Sequence, residues 1–248
     1  MKIKIPDSLL KKYYVDWGCR WGLTRERLMQ VIYYMYADSP NIHIGKRVYM
    51  RSLQTIGSVH PDSSLSIGDE SVFWGKSNIC ASYGGQISIG SRSLIGDNNN
   101  TLCRNRVSIG NYVLTAQNLS IRDYEDHPIP PRERKAQVSY CIRQYNPFHD
   151  PSNIGLSPEE IEYFDTYWND KRYFVSAPVE IGDNCWIGHD VTIMKGVNIS
   201  ENSIIAARSV VTKSVPPNCI AGGVPARVLR ENLDQDDPEE FWKNRPQT

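Results

Sequence analysis

Histidine is the side chain in this sequence best suited to moving protons near neutral pH, and the chain has five of them. They are His43, His60, His127, His149 and His189. Asp123, Glu125 and Asp126 lie just before His127, and one of these carboxylates could orient its imidazole and stabilise the charged form. His127 could then act as a general base. A lone histidine is more often structural and a loop carboxylate is often only solvated, so both interpretations stay open.

A repeat of six residues organises the sequence from Ile181 to Pro216. An aliphatic residue occupies every sixth position, at Ile181, Ile187, Ile193, Ile199, Ile205 and Val211, and a small or β-branched residue follows four positions later. Period six fits neither the 3.6 of an amphipathic helix nor the alternation of a single strand. It predicts a solenoid with three short faces per coil, in which the aliphatics point inward and stack. The small residue after most of them is expected to permit the corner.

The repeat also runs, less regularly, from Ile42 to Ile121, where isoleucine-glycine pairs begin most units. The run from Asn98 to Asn100 falls inside this part. It is consistent with a simple asparagine-rich corner, and equally with Asn98 and Asn100 serving a binding site.

These limits divide the chain into a solenoid at 41–230, a segment at 1–40 and a tail at 231–248. Apolar residues at helical spacing before residue 40 predict a short helical cap over the open first coil. A membrane-surface or partner face is the alternative for its many aromatic residues. The tail predicts a short closing helix.

An insertion at 122–177 interrupts the solenoid and carries no repeat. Loops this long are usually functional or disordered, and the many aromatic residues argue against pure disorder. Ser157 and Pro158, with two acidic residues after them, predict a helix from about 158 to 170.

Composition excludes several classes of function. Twenty-eight basic residues balance twenty-eight acidic ones, so the chain lacks the basic field that nucleic-acid binding requires. No apolar run is long enough for a transmembrane helix, and the first residues do not resemble a signal peptide. The six cysteines have no framework spacing, which favours reduced thiols and a cytoplasmic location.

The hexads from Ile181, followed by VVTKSVPPNCIAGGVPARVLR, resemble the hexapeptide-repeat acetyltransferases, and within them the branch that O-acetylates sugars and antibiotics. The resemblance covers roughly residues 42–121 and 178–230. It implies a left-handed parallel β-helix that assembles as a homotrimer. It also implies acetyl-CoA in a groove between subunits, a carbohydrate acceptor and no metal.

The resemblance also suggests roles for individual residues. His127, followed by Pro128, matches the catalytic histidine of the family, with Asp123 or Asp126 to orient it. His189 stands where relatives often have a small residue, which is a departure from the family pattern. The coenzyme-binding candidates are Trp186, His189, Ala206, Ala207, Thr212, Lys213, Arg227 and Arg230. Apart from the resemblance, His149 lies in the insertion and could face the acceptor, and with Asn98 and Asn100 it completes the acceptor-binding candidates.

The sequence therefore predicts an acetyl-CoA-dependent O-acetyltransferase for a carbohydrate hydroxyl in capsule or lipopolysaccharide biosynthesis. N-acetylation of a nucleotide-linked amino sugar is the main alternative, and a non-catalytic scaffold is another. A metalloenzyme like the γ-class carbonic anhydrases would need three zinc-binding histidines, two of them close in sequence, and no such pair occurs. Peripheral contact with a membrane stays compatible with these predictions. The insertion is expected to shape the acceptor pocket, and the alternative is that it only supports the trimer.

Overall fold

The computed structural model describes residues 39–51, 56–148, 155–167 and 175–235. Within these ranges the chain is built from twenty short strands in three sheets. Sheet A contains β1 (Ile42–Ile44), β4 (Ser64–Ile67), β7 (Gln86–Ile89), β10 (Arg106–Ile109), β13 (Val179–Ile181) and β16 (Asn198–Ile199). Sheet B contains β2 (Tyr49–Met50), β5 (Val72–Phe73), β8 (Leu94–Ile95), β11 (Leu114–Thr115), β14 (Trp186–Ile187), β17 (Ile204–Ile205), β19 (Ile220–Gly223) and β20 (Ala226–Arg230). Sheet C contains β3 (Ile56–Val59), β6 (Ser77–Ala81), β9 (Asn99–Cys103), β12 (Ser120–Arg122), β15 (Thr192–Ile193) and β18 (Val210–Val211).

Successive strands of the chain pass from sheet A to sheet B to sheet C, and each strand pairs in parallel with its equivalent one coil away. The fold is a left-handed parallel β-helix, as predicted. The last strand, β20, departs from this pattern because it pairs antiparallel with β19 and forms a hairpin at the end of sheet B.

The aliphatic repeat forms the core. The six residues from Ile181 to Val211 at hexad spacing are at most 2% exposed, which confirms that they point inward. In sheet A, inward isoleucines of successive coils pair directly with one another and form a column: Ile44, Ile67, Ile89, Ile109, Ile181 and Ile199. The pairing of Ile109 with Ile181 shows that the insertion leaves and re-enters the solenoid without shifting the register.

The corners need two different backbone features. Three residues after the aliphatic, the backbone turns through positive φ, as at Asn184 (56°) and Asn202 (59°), a region that asparagine tolerates better than most residues. The small residue directly after the aliphatic has another function. A Cβ at Gly182 would lie 2.6 Å from the backbone nitrogen of Glu201 in the next coil. The small residue therefore permits close stacking of coils, whereas the third residue makes the turn.

The described residues of the insertion form two helices, α1 (Pro131–Tyr145) and α2 (Pro158–Tyr167). The helix predicted near 158–170 is confirmed as α2, and Ser157 and Glu160 cap it reciprocally through side chain and backbone. Helix α1 was not predicted, although Pro131 at its first turn and Glu133 after it are both favourable there. The two helices share a small core of Ala136, Tyr140 and Phe164, separate from that of the solenoid.

The two ends of the chain are described only in part. The helical cap predicted at 1–40 lies outside the described residues except for Ser39 and Pro40, and so does the tail from residue 236. Between β20 and residue 236 the chain forms one turn of 3-10 helix at Leu233–Gln235.

Candidate active site

His127 lies on the loop that leaves the carboxyl end of β12, where the solenoid gives way to the insertion. Its side chain is exposed, and its Nδ1 lies 2.8 Å from Oε1 of Gln137, a residue of α1 that is only 2% exposed. The Nε2 of Gln137 donates in turn to the backbone carbonyl of Asp126, at 3.3 Å. The insertion thus supplies the residue that holds the candidate base.

The acidic residues near His127 have other partners, which corrects the expectation that one of them orients the imidazole. The carboxylate of Asp126 pairs with Arg122. Glu125 Oε1 lies 3.2 Å from Nζ of Lys195, which follows β15 in the next coil. Both pairs anchor the loop to the solenoid directly before His127.

Asp123 is fully buried and has a structural geometry. Its Oδ1 accepts from the backbone N–H of Arg104 at 2.9 Å, and its Oδ2 accepts from that of Asn105 at 2.8 Å. The thiol of Cys103 donates to the same Oδ2 at 3.2 Å. Burial is the main cause that raises the pKa of this thiol, and the negative charge of Asp123 raises it further. These side-chain contacts are all to the preceding coil, and the backbone carbonyl of Asp123 accepts from the N–H of Ala177 at 2.8 Å where the chain returns to the solenoid. Asp123 therefore fixes where the loop departs.

An alternating stack of aromatic rings and guanidinium groups supports the same loop. The guanidinium carbon of Arg104 lies 4.6 Å from the ring centre of Tyr83 and 4.4 Å from that of Tyr124. Arg122 approaches the ring of Tyr124 at 5.8 Å. Such contacts are strongest when they are partly desolvated, and Tyr124 is only three residues before His127.

A shallow cavity of about 440 Å³ opens beside His127. The face of α1 forms most of its lining, with Val138, Cys141 and Ile142 next to the imidazole. Trp186, one of the coenzyme-binding candidates, does not line this cavity. This residue lies on the outer face of sheet B, paired between Leu114 and Ile204.

The structure brings four of the other predicted residues to the corner between sheets B and C. Asn98 donates to Asn118 and Asn118 donates to Asp190, each at 2.7 Å, in a ladder that climbs the coils. His189 Nδ1 lies 2.9 Å from Asp190, and the hydrogen bonds from His189 and Asn118 hold the pKa of Asp190 below its ordinary value.

Ala206 and Ala207 occupy the same corner one coil further on. A Cβ on Gly188 would lie 2.6 Å from the backbone nitrogen of Ala207, so the two coils approach closely there. Ala206 is half-buried and Ala207 is exposed at this corner.

The remaining candidates lie apart. Thr212 and Lys213 follow β18 and are exposed at the same end of sheet C as the His127 loop, two strands or roughly 10 Å from β12 at the usual strand spacing. Arg227 and Arg230 are exposed on β20 at the end of sheet B. Asn100 projects from the outer face of sheet C, where it accepts from Asn78 at 2.8 Å, and His149 lies outside the described residues.

Two residues of this site were not identified from the sequence. Gln137 lies in a segment without repeat, and only the position of α1 brings it to His127. Lys195 belongs to an ordinary hexad turn, so no pattern distinguishes it from other surface lysines. Neither residue carries a local signal, because each acts through a contact with a distant part of the chain.

The described residues lack two further features. Among those residues, no group of three or more histidine, cysteine and acidic side chains is arranged to hold a metal ion. No helix in the part of the chain that the structure describes has the length and apolar character needed to cross a membrane.

Comparison with known proteins shows what this chain resembles. Residues 178–213, six repeats, match the family model of the bacterial transferase hexapeptide. A galactoside O-acetyltransferase of Escherichia coli (strain K12) is 34% identical over 163 residues, or 66% of this chain and 63% of that protein. The predicted resemblance to hexapeptide-repeat acetyltransferases is confirmed. The match with the galactoside O-acetyltransferase spans less than two thirds of the length of that protein.

Solved structures support the fold. A mutant of an N-acyltransferase from Bacillus cereus, in complex with dTDP and coenzyme A, aligns with a TM-score of 0.55 at 17% identity. The alignment covers 90% of this chain and 97% of that one. A maltose O-acetyltransferase from Clostridium difficile 630 aligns over 91% of this chain and 83% of its own, with 20% identity and a TM-score of 0.43. At 17% identity, the alignment with the N-acyltransferase shows the solenoid fold alone.

The role of Asp123 leads to a stability prediction. Asp123→Asn replaces one accepting oxygen by an amide that cannot accept from a backbone N–H, and should lower the free energy of unfolding by about 2 to 4 kcal/mol. Urea denaturation at fixed protein concentration measures the change. Asp183→Asn is the matched control, because Asp183 accepts from the N–H of Asn111 at 2.7 Å but in an exposed corner. Equal losses in the two variants would contradict the structural role of Asp123.

Proposed function

We propose that this protein is an acetyl-CoA-dependent O-acetyltransferase that acetylates a carbohydrate hydroxyl. The observation that carries the proposal is the exposed imidazole of His127, held by a buried partner at the edge of a hexapeptide solenoid. The similarity to a galactoside O-acetyltransferase supports the reaction class. A histidine that is accessible and also fixed in orientation meets the geometric requirement for a general base.

In the proposed reaction the free imidazole nitrogen of His127 takes the proton of the acceptor hydroxyl as its oxygen attacks the thioester carbonyl. The tetrahedral intermediate then collapses, the carbon–sulfur bond breaks, and the proton on the imidazole is returned to the departing thiolate. The products are the O-acetylated sugar and coenzyme A. The charged pairs of Asp126 and Glu125 hold the loop in place without neutralising the base.

The coenzyme site of this proposal runs along the corner between sheets B and C. Ala206 and Ala207 would let the pantetheine arm approach the backbone, and the exposed Lys213, Arg227 and Arg230 would meet the phosphates. Thr212 and His189 would flank this path, with Trp186 at the neighbouring face. The thioester would then end near the carboxyl end of sheet C, where the His127 loop begins.

Acceptor recognition is assigned to the insertion and the outer face of sheet C. Asn100 and Asn98 would contribute amide groups, together with His149 from the insertion. We propose a role in cell-surface polysaccharide biosynthesis, with the enzyme in the cytoplasm or peripherally at the membrane. The five cysteines in the described part of the chain are all free thiols, which fits a reducing compartment.

We further propose that the protein is a homotrimer. The first residue of each parallel strand in sheet B faces outward, and these residues pair from coil to coil. All of them are apolar: Tyr49, Val72, Leu94, Leu114, Trp186, Ile204 and Ile220. At roughly 4.8 Å per coil, this ridge is about 29 Å long. The equivalent row of sheet A is polar, with Ser66, Ser88 and Ser108 at its centre. A continuous apolar ridge on one face only is typical of a subunit interface.

The proposed base gives the first functional prediction. His127→Ala should lower kcat by about 10²- to 10⁴-fold with little change in the affinity for acetyl-CoA, because the proton acceptor is lost and the coenzyme contacts remain. Turnover is measured by thiol release across a panel of free sugars, sugar nucleotides and deacetylated polysaccharides. His60→Ala, which removes an exposed histidine paired with Asp62, is the control. Wild-type turnover in the His127 variant would eliminate it as the base.

The coenzyme site gives another prediction. The double variant Lys213→Ala/Arg230→Ala should raise KM for acetyl-CoA by about tenfold or more and change kcat less, since phosphate contacts lie far from the reacting carbonyl. Calorimetry with free coenzyme A measures the loss of affinity directly. Lys46→Ala/Lys76→Ala removes two exposed lysines elsewhere and should leave the affinity unchanged. If the first variant binds coenzyme A as tightly as the wild type, this site is wrongly assigned.

The apolar ridge predicts the effect of a charge on assembly. Leu114→Glu should convert trimers to monomers, because the carboxylate would be desolvated at the centre of the interface. Light scattering coupled to gel filtration measures the mass. Ser108→Glu places the same charge on the outer face of sheet A in the same coil, and should stay trimeric. A wild-type monomer, or a trimeric Leu114 variant, would refute the proposed interface.

A further inference from the structure

We propose that Gln137 is a positioning residue that selects the tautomer of His127 and so leaves Nε2 as the proton acceptor. This inference rests on the proposed function, since it assigns a role within the same site. Its basis is the two-step contact from the imidazole to the amide of Gln137 and from that amide to the backbone of Asp126.

The orientation of the Gln137 amide follows from what its neighbours can do. The backbone carbonyl of Asp126 can only accept, so the amide nitrogen of Gln137 must face it. The amide oxygen must then face His127, and it too can only accept. Nδ1 of His127 therefore carries the proton, and the lone pair of the neutral imidazole lies on Nε2.

Burial makes this arrangement costly to break. Gln137 is 2% exposed, so turning its amide would leave buried polar atoms without a hydrogen bond. The helix that carries it is itself held in place, because Tyr140 donates to Asp165 of α2 at 2.7 Å and packs on Phe164 with ring centres 5.3 Å apart. Helix α2 therefore fixes α1, and α1 fixes the partner of the candidate base.

A neutral partner suits a base that must also give its proton back. A carboxylate at this position would stabilise the imidazolium more strongly and retain the proton that the leaving thiolate needs. The charged groups of the loop are occupied elsewhere, with Asp126 on Arg122 and Glu125 on Lys195. From α1, the titratable groups that share the cavity with His127 are Cys141 and Tyr145.

The direct test reads the tautomer in the protein without ligands. Nitrogen-15 NMR of histidine-labelled protein near pH 8, assigned with His127→Asn, should show His127 protonated on Nδ1 in the wild type. Gln137→Met, which keeps the volume but removes the acceptor, should move the signal toward the Nε2-protonated form. A wild-type imidazole protonated on Nε2, or an unchanged tautomer in a folded Gln137→Met protein, would overturn the proposal.

The kinetic test separates positioning from mere structural support. Gln137→Met should lower kcat by about 10- to 100-fold with KM for acetyl-CoA nearly unchanged. Gln137→Glu restores an acceptor, so most of the turnover should return, with the acidic limb of the kcat/KM profile moved up by about one pH unit. Gln86→Glu adds the same charge to an exposed position on β7 of sheet A, away from the insertion, and should change neither quantity.

The outcomes remain distinct from those of the proposed function. If the wild type transfers no acetyl group to any acceptor, the proposed function fails, and the NMR measurement still decides the tautomer. If Gln137→Met does not fold by urea denaturation, the wild-type spectrum and Gln137→Glu decide instead. A folded glutamate variant that neither keeps Nδ1 protonated nor shifts the pH profile would refute the role of Gln137.

Discussion

Coil-to-coil stacking of inward aliphatic side chains is the constraint on which the rest of this structure depends. Each coil buries one aliphatic residue per face against its equivalents above and below, as in the column that includes Ile109, Ile181 and Ile199. The small residue after the aliphatic lets the coils approach, and the third residue makes the corner. Because this geometry repeats, a side chain at one hexad position is held at a fixed spacing from its equivalents along the whole solenoid.

The insertion uses this rigidity without disturbing it. Ile109 and Ile181 pair directly although the insertion separates them in sequence. The strands on the two sides of the insertion therefore keep the register of the solenoid. Its exit is fixed by Asp123, whose buried carboxylate binds two backbone amides of the previous coil. From there the loop is anchored by Lys195 in the next coil and by the ring stack at Tyr124. His127 is thus exposed to solvent on a loop that has little freedom to move.

The candidate groups of the site are distributed over different surfaces of one chain. His127 and Lys213 lie at one end of sheet C, the alanine corner lies between sheets B and C, and the basic residues of β20 lie at the end of sheet B. The apolar ridge of sheet B adds a surface that the described residues leave partly exposed. A site assembled from two neighbouring subunits would account for both features, which is why the proposed trimer and the proposed coenzyme groove are linked.

The sequence alone determined the solenoid, because a period of six leaves a clear signal in every coil and each unit repeats the same local requirement. It also indicated α2, whose capping residues Ser157 and Glu160 are neighbours in the chain. It selected His127, since both its position after the last regular hexad and its neighbouring proline are local features. The corner that gathers His189, Ala206 and Ala207 follows from the same periodicity.

Only the tertiary structure decided what surrounds the candidate base. Three carboxylates close in sequence suggested an acidic partner for His127, yet each is directed elsewhere by a contact with another coil or strand end. The partner is Gln137, ten residues away on a helix that was not predicted, and its amide is oriented by a backbone carbonyl. Sequence patterns report requirements that repeat or that neighbouring residues share. The single hydrogen bond between Gln137 of α1 and His127 neither repeats nor joins neighbouring residues. The partner of His127 is therefore fixed only when the helices have packed.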